Sequence, residues 1–102
     1  MLKKQSIQKG KVIKVTFETH PLPEAEEVFL VGDFNDWDES VAPMEKRKKD
    51  GCFKLALKLE PGQEYQFRYL VDGEWHNEWE ADKYAPNPFS GDNSVVVAEA
   101  DE

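Results

Sequence analysis

The residues of this chain best suited to contact a ligand are its indoles. Trp37 ends the stretch Asp33-Phe34-Asn35-Asp36-Trp37, Trp75 follows Asp72-Gly73-Glu74, and Trp79 comes four residues later. A tryptophan in a small domain ordinarily fills core. Here polar flanks on both sides of Trp37 and Trp75 argue for exposure. An exposed indole among Asn, Asp and Arg suits a ligand with an apolar face and a polar rim. A pyranose is such a ligand: its C–H groups stack on an aromatic ring while its hydroxyls pair with side-chain donors and acceptors. Peptide recognition uses the same ingredients, so composition alone leaves the ligand open.

Catalysis finds little support. His20 precedes Pro21 and His76 follows Trp75, with neither a nucleophile nor metal-ligand spacing around them. Asp33, Asp36, Asp38 and Glu39 cluster. A glycosidase pair, however, needs two carboxyls held roughly 5–10 Å apart across a cleft, and a small sandwich offers no obvious deep one. The same cluster fails as an EF-hand loop, because Trp37 takes the fifth position and Asp38 the place of the required Gly. Phosphate-loop and nucleophile-elbow patterns are missing. The single cysteine, Cys52, permits no internal disulfide and no cysteine-based zinc site. A non-enzymatic protein without cofactor or metal is expected.

Length and charge narrow the classes further. The 102 residues suffice for one domain and are too few for a (β/α)₈ barrel. No run of about 18 apolar residues exists to span a membrane. The basic N-terminus lacks the apolar stretch of a secretory signal, so a soluble cytoplasmic protein is expected. The net charge is −8, and residues 72–102, with nine acids against the single base Lys83, hold all of it. Bulk attraction to phosphate backbones is therefore excluded. A single-strand nucleic-acid binder stacking bases on Trp would need a basic groove, and Arg68 and Lys83 are the only cations in the region holding Trp75 and Asn93.

The elements that must hold these indoles are strands. No window keeps helical spacing for three turns, whereas period-2 alternation recurs. Ile13, Val15 and Phe17 alternate with polar residues, as do Phe53, Leu55, Leu57 and Leu59, while Tyr65, Phe67, Tyr69 and Val71 alternate with Gln66, Arg68 and Leu70. Val28–Val31 and Val95–Val97 are short apolar runs, and Met44–Lys48 and Trp75–Trp79 are weaker candidates. Asp50-Gly51, Pro61-Gly62 and Asp72-Gly73 mark turns, with Asp-Gly suited to the positive φ angles of tight hairpins. About seven antiparallel strands in so short a chain predict an all-β, immunoglobulin-like sandwich of the early-set kind. Residues 10–98 form this sandwich, 1–9 a flexible N-terminal tail and 99–102 an acidic C-terminal tail. Two long connections, 32–43 and 75–93, are the places where function is expected.

Three segments carry a resemblance to a known family. Val28-Phe29-Leu30-Val31-Gly32-Asp33-Phe34-Asn35-Asp36-Trp37 resembles the FLxGxFNxW motif of carbohydrate-binding module family 48, the glycogen-binding or isoamylase N-terminal early-set domains. Tyr65 to Trp75 is similar to that family's YxYKFxVDGxW segment, and Asn87 to Val95 resembles its closing GxxNxVV stretch. Order and spacing agree over about residues 11–98. The resemblance implies a module that binds α-1,4-glucans such as glycogen, starch or maltooligosaccharides. It implies that Trp37 and Trp75 are the platforms that stack on glucose rings. Arg68 stands where the family usually has a Lys that donates to sugar hydroxyls, Phe89 matches the apolar residue that enters the curve of the glucan, and Asn93 the hydroxyl-binding Asn. Asn35 and Phe34 are implied to be structural, closing the turn and filling the core. Trp79 departs from the pattern and competes with Trp75 as the second platform, although the spacing from Asp72-Gly73 favours Trp75.

Many family members are joined to a glycoside hydrolase family 13 barrel or to a kinase subunit, and this chain carries neither. It could bind glucan itself or act in trans on a glycan-metabolising enzyme. The rival reading is a structural or protein-interaction module without sugar binding. That reading expects Trp75 and Trp79 to be buried against residues 80–92.

Overall fold

The computed structural model describes residues 2–87 and 91–99. Among these it forms β1 (Leu2–Ile7), β2 (Val12–Glu18), β3 (Val28–Gly32), β4 (Glu45–Lys46), β5 (Phe53–Leu59), β6 (Glu64–Val71), β7 (Glu74–His76), β8 (Lys83–Pro86) and β9 (Asp92–Val97). All pairings are antiparallel. One sheet runs β1-β2-β5-β4; the other runs β3-β6-β9-β8, with β7 added to β6. The chain is thus the expected all-β sandwich.

Alternation along the strands builds its core. Ile13, Val15 and Phe17 of β2 and Phe53 and Leu59 of β5 point inward from one sheet. Leu30 of β3, Phe67, Tyr69 and Val71 of β6 and Val96 of β9 meet them from the other. Phe17 bridges the layers, with its ring edge-on to Phe67 at 5.0 Å and 5.6 Å from the ring of Phe34. Burial of these apolar faces is the main force holding the sheets together.

Several elements differ from the expectation. Residues 2–7, expected within a flexible tail, form β1, registered with β2 from Leu2↔Phe17 to Ile7↔Val12. Leu-Lys-Lys-Gln-Ser-Ile shows no clean alternation, because Lys4 occupies a core-side position opposite Val15. Its ammonium pairs there with Asp82 at 2.6 Å. The expected strand at 44–48 shrinks to Glu45–Lys46 because the chain changes sheets. Pro43 bridges Phe29 and Met44 N–H donates to Val28, both in one sheet, before Glu45 joins β5 in the other. Strand β8 lies inside an expected loop. Its sequence Lys-Tyr-Ala-Pro is typical of an edge, where Lys and Pro are tolerated, and β9 supplies its ladder. The expected acidic tail falls largely outside the described residues.

Candidate functional site

Inward-pointing residues of β6 occupy the odd positions, so Gln66, Arg68 and Leu70 face outward from the five-stranded sheet. Trp75 is registered opposite Leu70 and therefore stands on the same face. The turn that sets this register is Asp72-Gly73, with φ of 46° and 86°, the left-handed pair that a two-residue hairpin demands. Asp72 also holds the β2–β3 connection, its carboxyl accepting from the backbone N–H groups of Glu26 and Glu27.

Trp75 is 41% exposed, and the Arg68 guanidinium carbon lies 5.9 Å from the centre of its ring. A cation over an indole face is worth about 0.5–1 kcal/mol at an exposed site and so favours this arrangement of the two groups. The Nε–H of Arg68 is buried and, among the described residues, is the one buried side-chain polar atom without a hydrogen-bond partner. Beside it runs a line of amides. Asn87 Nδ2 donates to Asn93 Oδ1 at 3.0 Å, and Asn93 Nδ2 donates to Gln66 Oε1 at 3.0 Å. Asn93 is buried and has a protein partner on each side of its amide.

Trp37 reaches this face by a different route. After β3 the chain makes a single 3₁₀ turn, Asp33–Asn35, and then places Asp36 and Trp37 in the left-handed region at φ 55° and 58°. A bulky residue there is strained, and three contacts hold it. Trp37 N–H donates to Gly32 C=O at 2.9 Å. Asn35 closes the turn as expected, accepting from Gly32 N–H at 3.1 Å and donating to Leu30 C=O at 2.9 Å. Asp33 accepts the Trp37 Nε1–H at 2.9 Å with one carboxyl oxygen and Gln66 N–H at 2.8 Å with the other. The half-buried Trp37 is thereby tethered to β6 at the Gln66 end of the face. Phe34 packs on the core rings, also as expected.

Of the five predicted site residues, the structure brings Arg68 and Trp75 into contact and links Asn93 to Gln66 on the same face, with Trp37 anchored beside Gln66. Phe89 lies outside the described residues. Gln66 and Asp33 were not identified from the sequence. The alternation of β6 places Gln66 beside Arg68 and could have found it, whereas the link from Asp33 to a distant backbone amide has no local signal. Trp79 lies elsewhere. It is 70% exposed and its ring stacks on His20, centroids 3.6 Å apart and planes 8° apart. Among the described residues both Trp75 and Trp79 are exposed, whereas the rival reading expects them to be buried. Cys52 is buried just before β5, and burial pushes its thiol pKa up.

The family model described as Carbohydrate-binding module 48 (Isoamylase N-terminal domain) matches residues 5–85. The chain is 43% identical over 51 residues to the chloroplastic PTST homolog 2 of Arabidopsis thaliana, covering 50% of this chain and 9% of that protein. It is 43% identical over 53 residues to a 1,4-alpha-glucan branching enzyme of Rhizobium johnstonii, covering 51% of this chain and 7% of the enzyme. A branching enzyme of Rhizobium etli is 41% identical over 49 residues, covering 47% of this chain and 7% of the enzyme. The matched stretches thus span less than a tenth of these relatives.

Proposed function

The chain belongs to the carbohydrate-binding module 48 family, and from that premise we propose that it is a non-catalytic module recognising α-1,4-glucans through Trp37 and Trp75. The observation that carries this reading is the outward face of the five-stranded sheet. There an exposed indole, a guanidinium 5.9 Å over its ring and a line of side-chain amides stand together. Glucose rings stack on the indoles, Arg68 and Gln66 supply donors to the hydroxyls, and Asn93 joins them with the N–H and lone pair that its bonds to Gln66 and Asn87 leave over. The unpartnered Nε–H of Arg68 supports this role, because a buried donor without an acceptor costs free energy that a ligand oxygen or a readjusted side chain recovers. Phe89 lies outside the described residues, and its proposed role in the curve of the glucan rests on the family motif alone. The relatives named as 1,4-alpha-glucan branching enzymes support the choice of glucan.

Such a face is shallow, so affinity is modest, and a curved or cyclic glucan that presents its rings already bent binds better than an extended one. A glycan-metabolising enzyme acting on the same glucan is the proposed partner in trans, and the cytoplasm the proposed location. Among the described residues no helix is long and apolar enough to cross a membrane. Co-sedimentation with glycogen tests the reading. Wild-type protein pellets with the polymer, while W37A and W75A each lose at least tenfold in affinity and keep native circular dichroism. Equal pelleting of all three folded proteins would contradict it.

A further inference from the structure

The main face leaves Trp79 unexplained. Its exposure is the largest of any indole in the chain, yet its placement is tightly determined. Glu78, the preceding residue, is 3% exposed and turns its carboxyl inward, accepting from Tyr69 Oη–H at 2.9 Å and from Glu80 N–H at 3.0 Å. Glu78 N–H donates to Ser94 Oγ at 2.9 Å, and its carbonyl accepts from Tyr84 Oη–H at 2.6 Å. Rooting residue 78 in the interior forces residue 79 outward. His20, from the β2–β3 connection, then lies flat against the indole and leaves the opposite ring face open to solvent. Beside the pair is a cleft of about 240 Å³ lined by Glu18, Thr19, His20, Glu78, Trp79 and Glu80. That is smaller than the roughly 300–1,000 Å³ of pockets that enclose drug-sized ligands and suits a single ring with hydroxyls on its rim.

Position adds the decisive constraint. Four residues of chain separate Trp79 from Trp75 by at most about 14 Å between Cα atoms. A ligand polymer engaged at Trp75 that turns round the β7 edge has at most that distance to cover to Trp79. We propose that Trp79, backed by His20, is a second stacking platform that takes one glucose ring of an α-glucan continuing past the main face around the β7 edge. This rests on the α-glucan reading given above. Glu80, exposed at the rim of the cleft, offers a carboxyl to sugar hydroxyls, and the stack on His20 lowers the rotamer freedom that the indole must lose on binding. Two linked contacts on one polymer raise its apparent affinity without changing that of a short ligand confined to the main face.

The experiment follows the indole Nε1–H resonances of the full chain, assigned with W37A, W75A and W79A. β-Cyclodextrin, a closed ring that cannot extend, moves Trp37 and Trp75. Maltodecaose moves all three. W79A leaves the β-cyclodextrin midpoint read at Trp75 within twofold and weakens glycogen binding about tenfold. H20A, which removes only the backing ring, weakens glycogen binding in the same direction. A Trp79 resonance that stays still in maltodecaose while Trp37 and Trp75 respond overturns the second platform and leaves the main face intact. All three staying still overturns both. A Trp79 resonance that shifts with protein concentration in the absence of sugar assigns the indole to a contact between copies and also overturns the proposal.

Discussion

Asp33 has the widest influence of any single residue at the site. It joins the Trp37 indole to the β6 backbone, so it acts on sugar through another residue and is a positioning group. D33A is expected to weaken glucan binding several-fold and to shift the Trp37 Nε1–H resonance, leaving that of Trp75 in place. Losing the two hydrogen bonds costs about 1–3 kcal/mol of stability, readable by urea denaturation, and D33N recovers part of both effects. His20 carries a pH dependence. Burial first, then the neighbouring His76, hold its imidazole below its ordinary pKa, while Glu78 opposes them, and Glu18 and Glu80 line the adjoining cleft. Because the folded value is depressed, its stabilising contribution is complete above the unfolded pKa of about 6.5 and is lost as pH falls through the folded value. The denaturation midpoint is expected to drop between pH 7 and pH 5, and H20Q to flatten that part of the slope. A parallel slope in H20Q would assign it to other groups.

The segment from β3 into its 3₁₀ turn is where sequence constrains geometry most tightly. Gly32 is extended at φ −176°, so left-handed freedom is not the reason for glycine there. A Cβ at this position would sit 2.5 Å from the Gln66 carbonyl oxygen and 2.8 Å from Phe67 Cβ, contacts that backbone cannot relieve. G32A is expected to lose about 1–3 kcal/mol and, by pushing β3 from β6, to lower glucan affinity as well. Retention of wild-type stability would mean that the strands separate freely at this point. The β6–β7 hairpin was legible beforehand, since alternation and Asp72-Gly73 together specify its register and the face on which Trp75 stands. Strand β1 was not, because Lys4 interrupts the pattern and its partner Asp82 lies far along the chain. The short reach of β7 was also hidden: two indoles bracket Trp75–Trp79 as a candidate strand, but the inward pull on Glu78 ends the ladder at His76.

Across the molecule, the acidic excess and the proposed sugar face overlap in residues 72–99 without conflict. A glucan is uncharged, and the groups offered to it are indoles, amides and one guanidinium held by an aromatic ring. The motif-bearing segments made much of this face readable from the sequence, because each brings at least one strand and one side chain to it. What could not be read was how the face is wired, since the bonds from Asp33 to Gln66 and from Asn93 to Gln66 join residues distant in sequence. The central claim is that Trp37 and Trp75 bind α-glucan through stacking and neutral hydrogen bonds. Its most direct test is tryptophan fluorescence titrated with β-cyclodextrin at 50 mM and at 500 mM NaCl. A saturating change at millimolar sugar or below is expected, with midpoints within about twofold of each other because screening acts on charges. A flat titration in the folded protein would contradict it.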